Sequence, residues 1–192
     1  MRWALGTLFF PGTTWLQIAE RAPSVFLAAL VDWLPWLLIG LGTEYYGLTH
    51  WGGTLPGIAA LQAYSPEQAL RYVGAYAGSF VIVLLVGSLW LKSVAESFGT
   101  RVTFAQTLLM LGYGTIPISL SRIPDAFPLL PSWACWGAGM VIVARGLYHG
   151  VALLLKPEQT KGFGIYMFSV VMVGCLSGIA HLLCLITLQG KL

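Results

Sequence analysis

Phe163–Leu188, FGIYMFSVVMVGCLSGIAHLLCLITL, runs for 26 residues with no Asp, Glu, Lys or Arg. A helix that crosses a bilayer needs about 20 mostly apolar residues and tolerates few charges in its middle. Four stretches of the same kind precede it, at approximately Ser24–Leu48, Tyr72–Ala95, Phe104–Arg122 and Ser132–Leu155, with only short connectors between them. The whole chain is 57% hydrophobic and 9% charged, against roughly 25% charged in an ordinary soluble domain. A water-soluble fold of 192 residues could not hide that much apolar surface. Barrel segments of about 10 residues with alternating polarity do not occur. The sequence therefore predicts an all-α polytopic membrane protein. Residues 24–192 form one domain, a five-transmembrane-helix bundle, and 1–23 supply a short interfacial helix on the cytoplasmic side. No room is left for a soluble catalytic domain.

Met1–Phe10 joins one Arg to an apolar run, as a signal peptide would. No small-x-small cleavage site follows, so this N-terminus is expected to be retained. Thr14-Trp15-Leu16-Gln17 has capping-box spacing and predicts a helix from Trp15 to Arg21, stopped by Pro23. Pro11 and Trp15 are its expected interfacial anchors, with Trp15 in the aromatic belt. With the N-terminus in the cytoplasm, that side receives Arg2, Arg21, Lys92, Arg101, Lys156 and Lys161, and the other side Arg71, Arg122 and Lys191. Six basic residues against three favour N-in and, after five spans, C-out. No basic patch lies outside these loops, which excludes a nucleic-acid role and leaves lipid headgroups as the partners of the +3 charge.

Prolines punctuate the bundle. Pro35 breaks the first span, and the connector Ile123–Pro131 holds three prolines and reads as a stiff turn. Gly52-Gly53 and Pro56-Gly57 mark turns in the Thr49–Leu70 loop, and Ser65-Pro66-Glu67-Gln68 marks a helix start. The third span carries Gln106, Thr107, Tyr113, Thr115, Ser119 and Ser121 and is interrupted by Pro117. Freed backbone groups must find partners inside the protein, which predicts this helix in the bundle interior. Gly74/Gly78, Gly146/Gly150 and Gly174/Gly178 have the spacing of close helix contacts, expected to pack within the chain.

Two charges break the pattern. Asp32 lies about 12 Å inside the first span and Arg145 about 15 Å inside the fourth, measured from the same side at helical rise. A lone charge at that depth costs at least a few kcal/mol, so the sequence predicts an intramembrane ion pair. The pair either fixes helix packing or serves as an ion or proton relay. The remaining alternative is a protonated Asp32 with Arg145 reaching for the interface. His50 and His181 are the residues a haem would need, but only if the outer loop folded inward. No His/Cys/Asp/Glu cluster has zinc spacing, and Cys135, Cys175 and Cys184 read as small apolar residues. No cofactor or metal is expected. G-x-S-x-G, P-loop and HExxH patterns are absent, and the carboxylates are scattered singly. An enzyme is not expected.

Gly112-Tyr113-Gly114-Thr115-Ile116-Pro117 resembles the Gly-Tyr-x-x-x-Pro signature of the Yip membrane-protein family, whose eukaryotic members interact with Ypt/Rab GTPases. Pro11-x-x-x-Trp15-x-x-Ile18-Ala19 resembles the pre-membrane segment of bacterial relatives. Leu91-Lys92-x-Val94-Ala95-x-x-Phe98-Gly99-Thr100-x-x-Thr103-Phe104 resembles their loop between spans two and three. The resemblance implies an integral, non-enzymatic membrane protein; the leading expectation is a bacterial inner-membrane scaffold or accessory subunit whose partners are lipids and other membrane subunits. The long cytoplasmic N-terminal region of the trafficking members, with its acidic Tyr-Gly-Pro-type motif, has no counterpart in this sequence, so a GTPase-binding role is not expected. Gly112, Tyr113 and Pro117 are expected to mark a kink. A small transporter, channel or lipid-handling protein built on Asp32 and Arg145 is the rival expectation.

Overall fold

The computed structural model describes residues 2–52, 63–127 and 130–188. The turn signals at Gly53, Pro56 and Gly57, and Lys191 of the charge count, lie outside these residues. Within them the chain is helical, and four helices are long and apolar enough to cross a membrane. These are α3 (Val25–His50), α4 (Pro66–Ser97), α8 (Ser132–Leu155) and the last helix, α9 (Gln159–Leu188), of which Thr160–Leu188 qualifies. The expected third span is instead three short helices in series: α5 (Phe104–Gly114), α6 (Ile116–Leu120) and α7 (Arg122–Asp125). The polar, Pro-containing sequence of that segment forecast its break and its interior position. Thr107–Gly114 and Ile116–Ser119 are buried without interruption, and the junction residue Thr115 is 2% exposed.

Local chemistry sets the helix ends. Ser65 accepts from the Gln68 amide while the Gln68 side chain accepts from the Ser65 amide, a capping box at the helix start expected from the sequence. Thr103 and Gln106 repeat the device at the start of α5. Between them α4 closes on Gly99, whose φ of +76° suits a residue without a Cβ, and the Thr100 amide returns to the Ala95 carbonyl. In α3 the interruption precedes Pro35. Ala29–Trp33 widen into a π turn in which the Leu34 amide reaches the Ala29 carbonyl.

Two short helices, α1 (Arg2–Phe9) and α2 (Pro11–Arg21), form an N-terminal hairpin docked on the bundle. Helix α2 starts at Pro11 rather than at Thr14, because proline suits a first helical position. The expected Thr14–Gln17 capping box therefore does not form, and Thr14 faces Gly6 of α1 instead. Trp15 is not a belt residue. It is fully buried against Gly150 of α8, and it anchors the hairpin by core packing.

Close approach of α3 to the broken segment depends on two glycines. A Cβ on Gly40 would stand 2.5 Å from the Ser119 carbonyl oxygen, and one on Gly47 would stand 2.5 Å from that of Ala126. Glu44 lies between them on the same face, one turn from each. The expected glycine pairs behave differently from one another. Gly174 and Gly178 face Met140 and Trp136 of α8, whereas a Cβ on Gly74 or Gly78 would meet nothing within 4 Å among the described residues. Cys135 and Cys184 are buried and Cys175 exposed, all three as free thiols.

Candidate functional site: two buried polar centres

The first centre is built on Tyr113. This residue is fully buried, and its hydroxyl donates to Asp32 Oδ2 at 2.8 Å. Trp3, Trp15 and Trp33 surround its ring edge-on, with centroids 6.4, 6.3 and 5.7 Å away. Such T-shaped contacts set the positive ring edge against a negative face. Gly112 makes the arrangement possible: a Cβ there would fall 2.2 Å from Trp33. One helical turn on, Pro117 opens α6, and the Thr115 hydroxyl donates to the Leu111 carbonyl at 2.7 Å. Gly112, Tyr113 and Pro117 thus build a junction between α3, α5 and the N-terminal hairpin.

The predicted partner of Asp32 is elsewhere. No ion pair between Asp32 and Arg145 occurs among the described residues, and Asp32 meets Tyr113. Arg145 is on the exposed side of α8, in a groove shared with Leu8 and Phe9 of α1. Matching depth placed the two residues at one level, but depth says nothing about which face of each helix is presented. Asp32 is 6% exposed and belongs to the interior.

The second centre lies towards the other end of the bundle. Arg122, 2% exposed, donates from Nη1 to Asp125 Oδ2 at 2.7 Å and to the Tyr72 hydroxyl at 3.2 Å. Its Nη2 lies 2.8 Å from His181 Nδ1, and the guanidinium sits 4.6 Å from the Tyr76 ring centroid. Ser132 Oγ lies 3.0 Å from His181 Nε2 and donates to Asp125 Oδ2 at 2.9 Å.

A guanidinium can only donate, so His181 Nδ1 accepts and the ring proton sits on Nε2. That N–H donates to Ser132, Ser132 donates to Asp125, and Asp125 accepts from Arg122. The ring closes with every direction determined, and it holds His181 as the neutral imidazole. Both nitrogens are engaged, so the pairing of His50 with His181 about a haem has no ligand atom at His181. His50 is 3.0 Å from the Tyr46 carbonyl through Nδ1 and stacks on the Tyr46 ring.

Glu44 completes this centre. It is 6% exposed, beside the Tyr72 hydroxyl and within the field of Arg122 and Asp125. Its Oε2 has no hydrogen-bond partner among the described residues, and neither do Arg122 Nε and the Tyr76 hydroxyl. A cleft of about 40 Å³ borders Glu44, Tyr64, Tyr72, Asp125 and Ser132. A smaller space of about 20 Å³, enough for one water, lies between Tyr76, Thr115, Arg122 and Ser177.

Sequence reasoning missed this centre. Along the chain Arg122 counts only among the basic residues of the outer side, and nothing in the pattern singles out Glu44 or Asp125. The available signal was common depth. Glu44 and Tyr72 each lie six residues from a helix end and His181 seven, about 9–10 Å of rise.

A family model described as the Yip1 domain matches residues 5–182. No curated protein and no solved structure matches the chain. The match takes in Asp32 and Tyr113 of the first centre, all of the second and most of the N-terminal hairpin, and the chain belongs to the Yip1-domain family.

Proposed function

We propose that this Yip1-domain membrane protein acts by contact and not as an enzyme, as a scaffold or accessory subunit that binds another membrane protein side by side. The observation that carries this reading is a groove of about 640 Å³ along the exposed flank of α8. Its floor includes the exposed Ala134 and Ala138, small residues that let a second helix approach closely. Pro117 and Pro124 of the broken segment form the opposite wall. Among the described residues, Arg145 is the single charged one bordering it. In an apolar setting a guanidinium gains from a counter-charge, since an unpaired one is costly. The occupant that fits is a transmembrane helix presenting an acidic or amide side chain at the level of Arg145.

The chain is placed in a bacterial inner membrane with its N-terminus in the cytoplasm, on the balance of basic residues and the resemblance of its motifs to bacterial relatives. The rival reading as a small transporter, channel or lipid-handling protein draws on Asp32 and Arg145, and is less favoured because Asp32 accepts from Tyr113 instead.

Cysteine introduced at Ile142, in the groove, tests the contact. In whole membranes it should cross-link to a discrete partner, and Arg145→Leu should abolish the product, while cysteine at Val171 on exposed α9 should give none. Cross-linking indifferent to position and to Arg145 overturns the reading.

A further inference from the structure

We infer that the cleft beside Glu44 binds one monovalent cation of about the size of Na+. The argument begins with charge. Arg122 brings one positive charge, and Glu44 and Asp125 bring two carboxylates. His181 contributes none, because its Nδ1 must accept from the guanidinium 2.8 Å away. The described residues lining the cleft include no Lys or Arg. Within the closed ring, Arg122 and Asp125 cancel each other. Among the described residues Glu44 is left over, with the Tyr72 side chain as its hydrogen-bond partner, and a buried carboxylate without a counter-charge is expensive.

Geometry shows where the missing charge would sit. Glu44 is nine-tenths buried and lines the cleft, and its Oε2 is a buried oxygen with no hydrogen-bond partner among the described residues. Around the same space stand Asp125, the Ser132 hydroxyl and the Tyr64 and Tyr72 side chains. These are hard oxygen donors, the kind that suit a small, weakly polarisable cation. A transition metal is not indicated, since no group of three or more His, Cys, Asp and Glu converges among the described residues. About 40 Å³ holds an ion with at most one or two waters. One surplus negative charge calls for one positive charge, which selects a monovalent ion over a divalent one. A proton on Glu44 would balance the same charge, so cation and proton compete for this position.

Fixed elements hold the cleft. Gly40 and Gly47 press α3 against the broken segment and aim Glu44 at Arg122. Ser132, at the start of α8, joins the same space through Asp125. Occupation of the cleft would therefore tie together α3, α4, α7 and α8.

The test is thermal unfolding of the full chain in mild detergent at constant ionic strength, with NaCl replaced stepwise by choline chloride or KCl. Na+ should raise the midpoint saturably by about 3 °C or more, with a smaller effect of K+ and none of choline. Glu44→Gln keeps the side-chain shape and should abolish the Na+ response. If that variant does not fold, wild-type protein in weak buffer decides: adding NaCl at mildly acidic pH should release up to one proton per chain, and choline chloride none. Equal midpoints in NaCl and choline with no proton release overturn the site. So does a midpoint that responds to pH alone, which means Glu44 simply carries a proton. A Na+ response retained in Glu44→Gln also overturns it.

Discussion

Arg122 Nη2 and His181 Nδ1 stand 2.8 Å apart, and that one contact sets the direction of every hydrogen bond in the ring they close with Ser132 and Asp125. Arg122 is therefore the member whose loss leaves most behind. Arg122→Leu strands Asp125 and Glu44 as buried carboxylates and should cost about 3–5 kcal/mol in reversible unfolding in mixed micelles. The double variant Arg122→Leu/Asp125→Leu removes one of the stranded charges and should be more stable than the single one. Equal or lower stability of the double variant would show that the ring is not held by charge pairing.

Tyr113 carries two kinds of interaction that separate cleanly. Tyr113→Phe keeps the ring among Trp3, Trp15 and Trp33 and loses only the hydrogen bond to Asp32. A bond to a carboxylate is worth about 1.5–3 kcal/mol. Tyr113→Ala also empties the tryptophan-lined site and should cost about 3–5 kcal/mol. Near-ultraviolet circular dichroism reads the difference: Tyr113→Phe should keep the tryptophan bands, and Tyr113→Ala should lose them.

Glycines in this fold divide by what a methyl group would meet. Gly112→Ala drives a Cβ into Trp33, and Gly47→Ala drives one into the Ala126 carbonyl. Each should destabilise by about 1–3 kcal/mol or more, the cost of overpacking. Gly74→Ala and Gly78→Ala meet nothing within 4 Å among the described residues and should be neutral or stabilising by up to about 1 kcal/mol through helix propensity. Melting midpoints of the four variants in one detergent check the ranking, and a destabilised Gly74→Ala would point to a partner on that face.

Much of the architecture was legible because lipid imposes it. Runs near Val25–His50, Pro66–Ser97, Ser132–Leu155 and Thr160–Leu188 follow from hydropathy alone, and Ser65 announces its helix through local capping. The interior position of Phe104–Leu120 was legible too, since its hydroxyls and Pro117 needed partners that lipid cannot give. What one chain could not reveal is which face each helix turns inward. Asp32 and Arg145 share a depth and look towards different surroundings. Arg122 and His181 are 59 residues apart, and no local pattern connects them. Trp15 looked interfacial because its neighbours Gln17, Glu20 and Arg21 are polar. Its burial depends on Gly150, which no local pattern connects to it.

The separation of Asp32 from Arg145 can be measured as an energy. Residues without a shared contact have additive effects within about 0.5 kcal/mol, whereas contacting residues couple by about 0.5–3 kcal/mol. A double-mutant cycle of Asp32→Asn with Tyr113→Phe should therefore show coupling of about 1 kcal/mol or more, since the two side chains share the 2.8 Å bond. The cycle of Asp32→Asn with Arg145→Gln should show none beyond error. Asp32→Asn alone should lower the melting midpoint in either background, because the residue is buried and accepts from Tyr113. Arg145→Gln should leave the midpoint of the isolated chain nearly unchanged, since the side chain lies in an open groove. Strong coupling between Asp32 and Arg145 would restore the intramembrane pair that their matching depths suggested and place Arg145 inside the bundle.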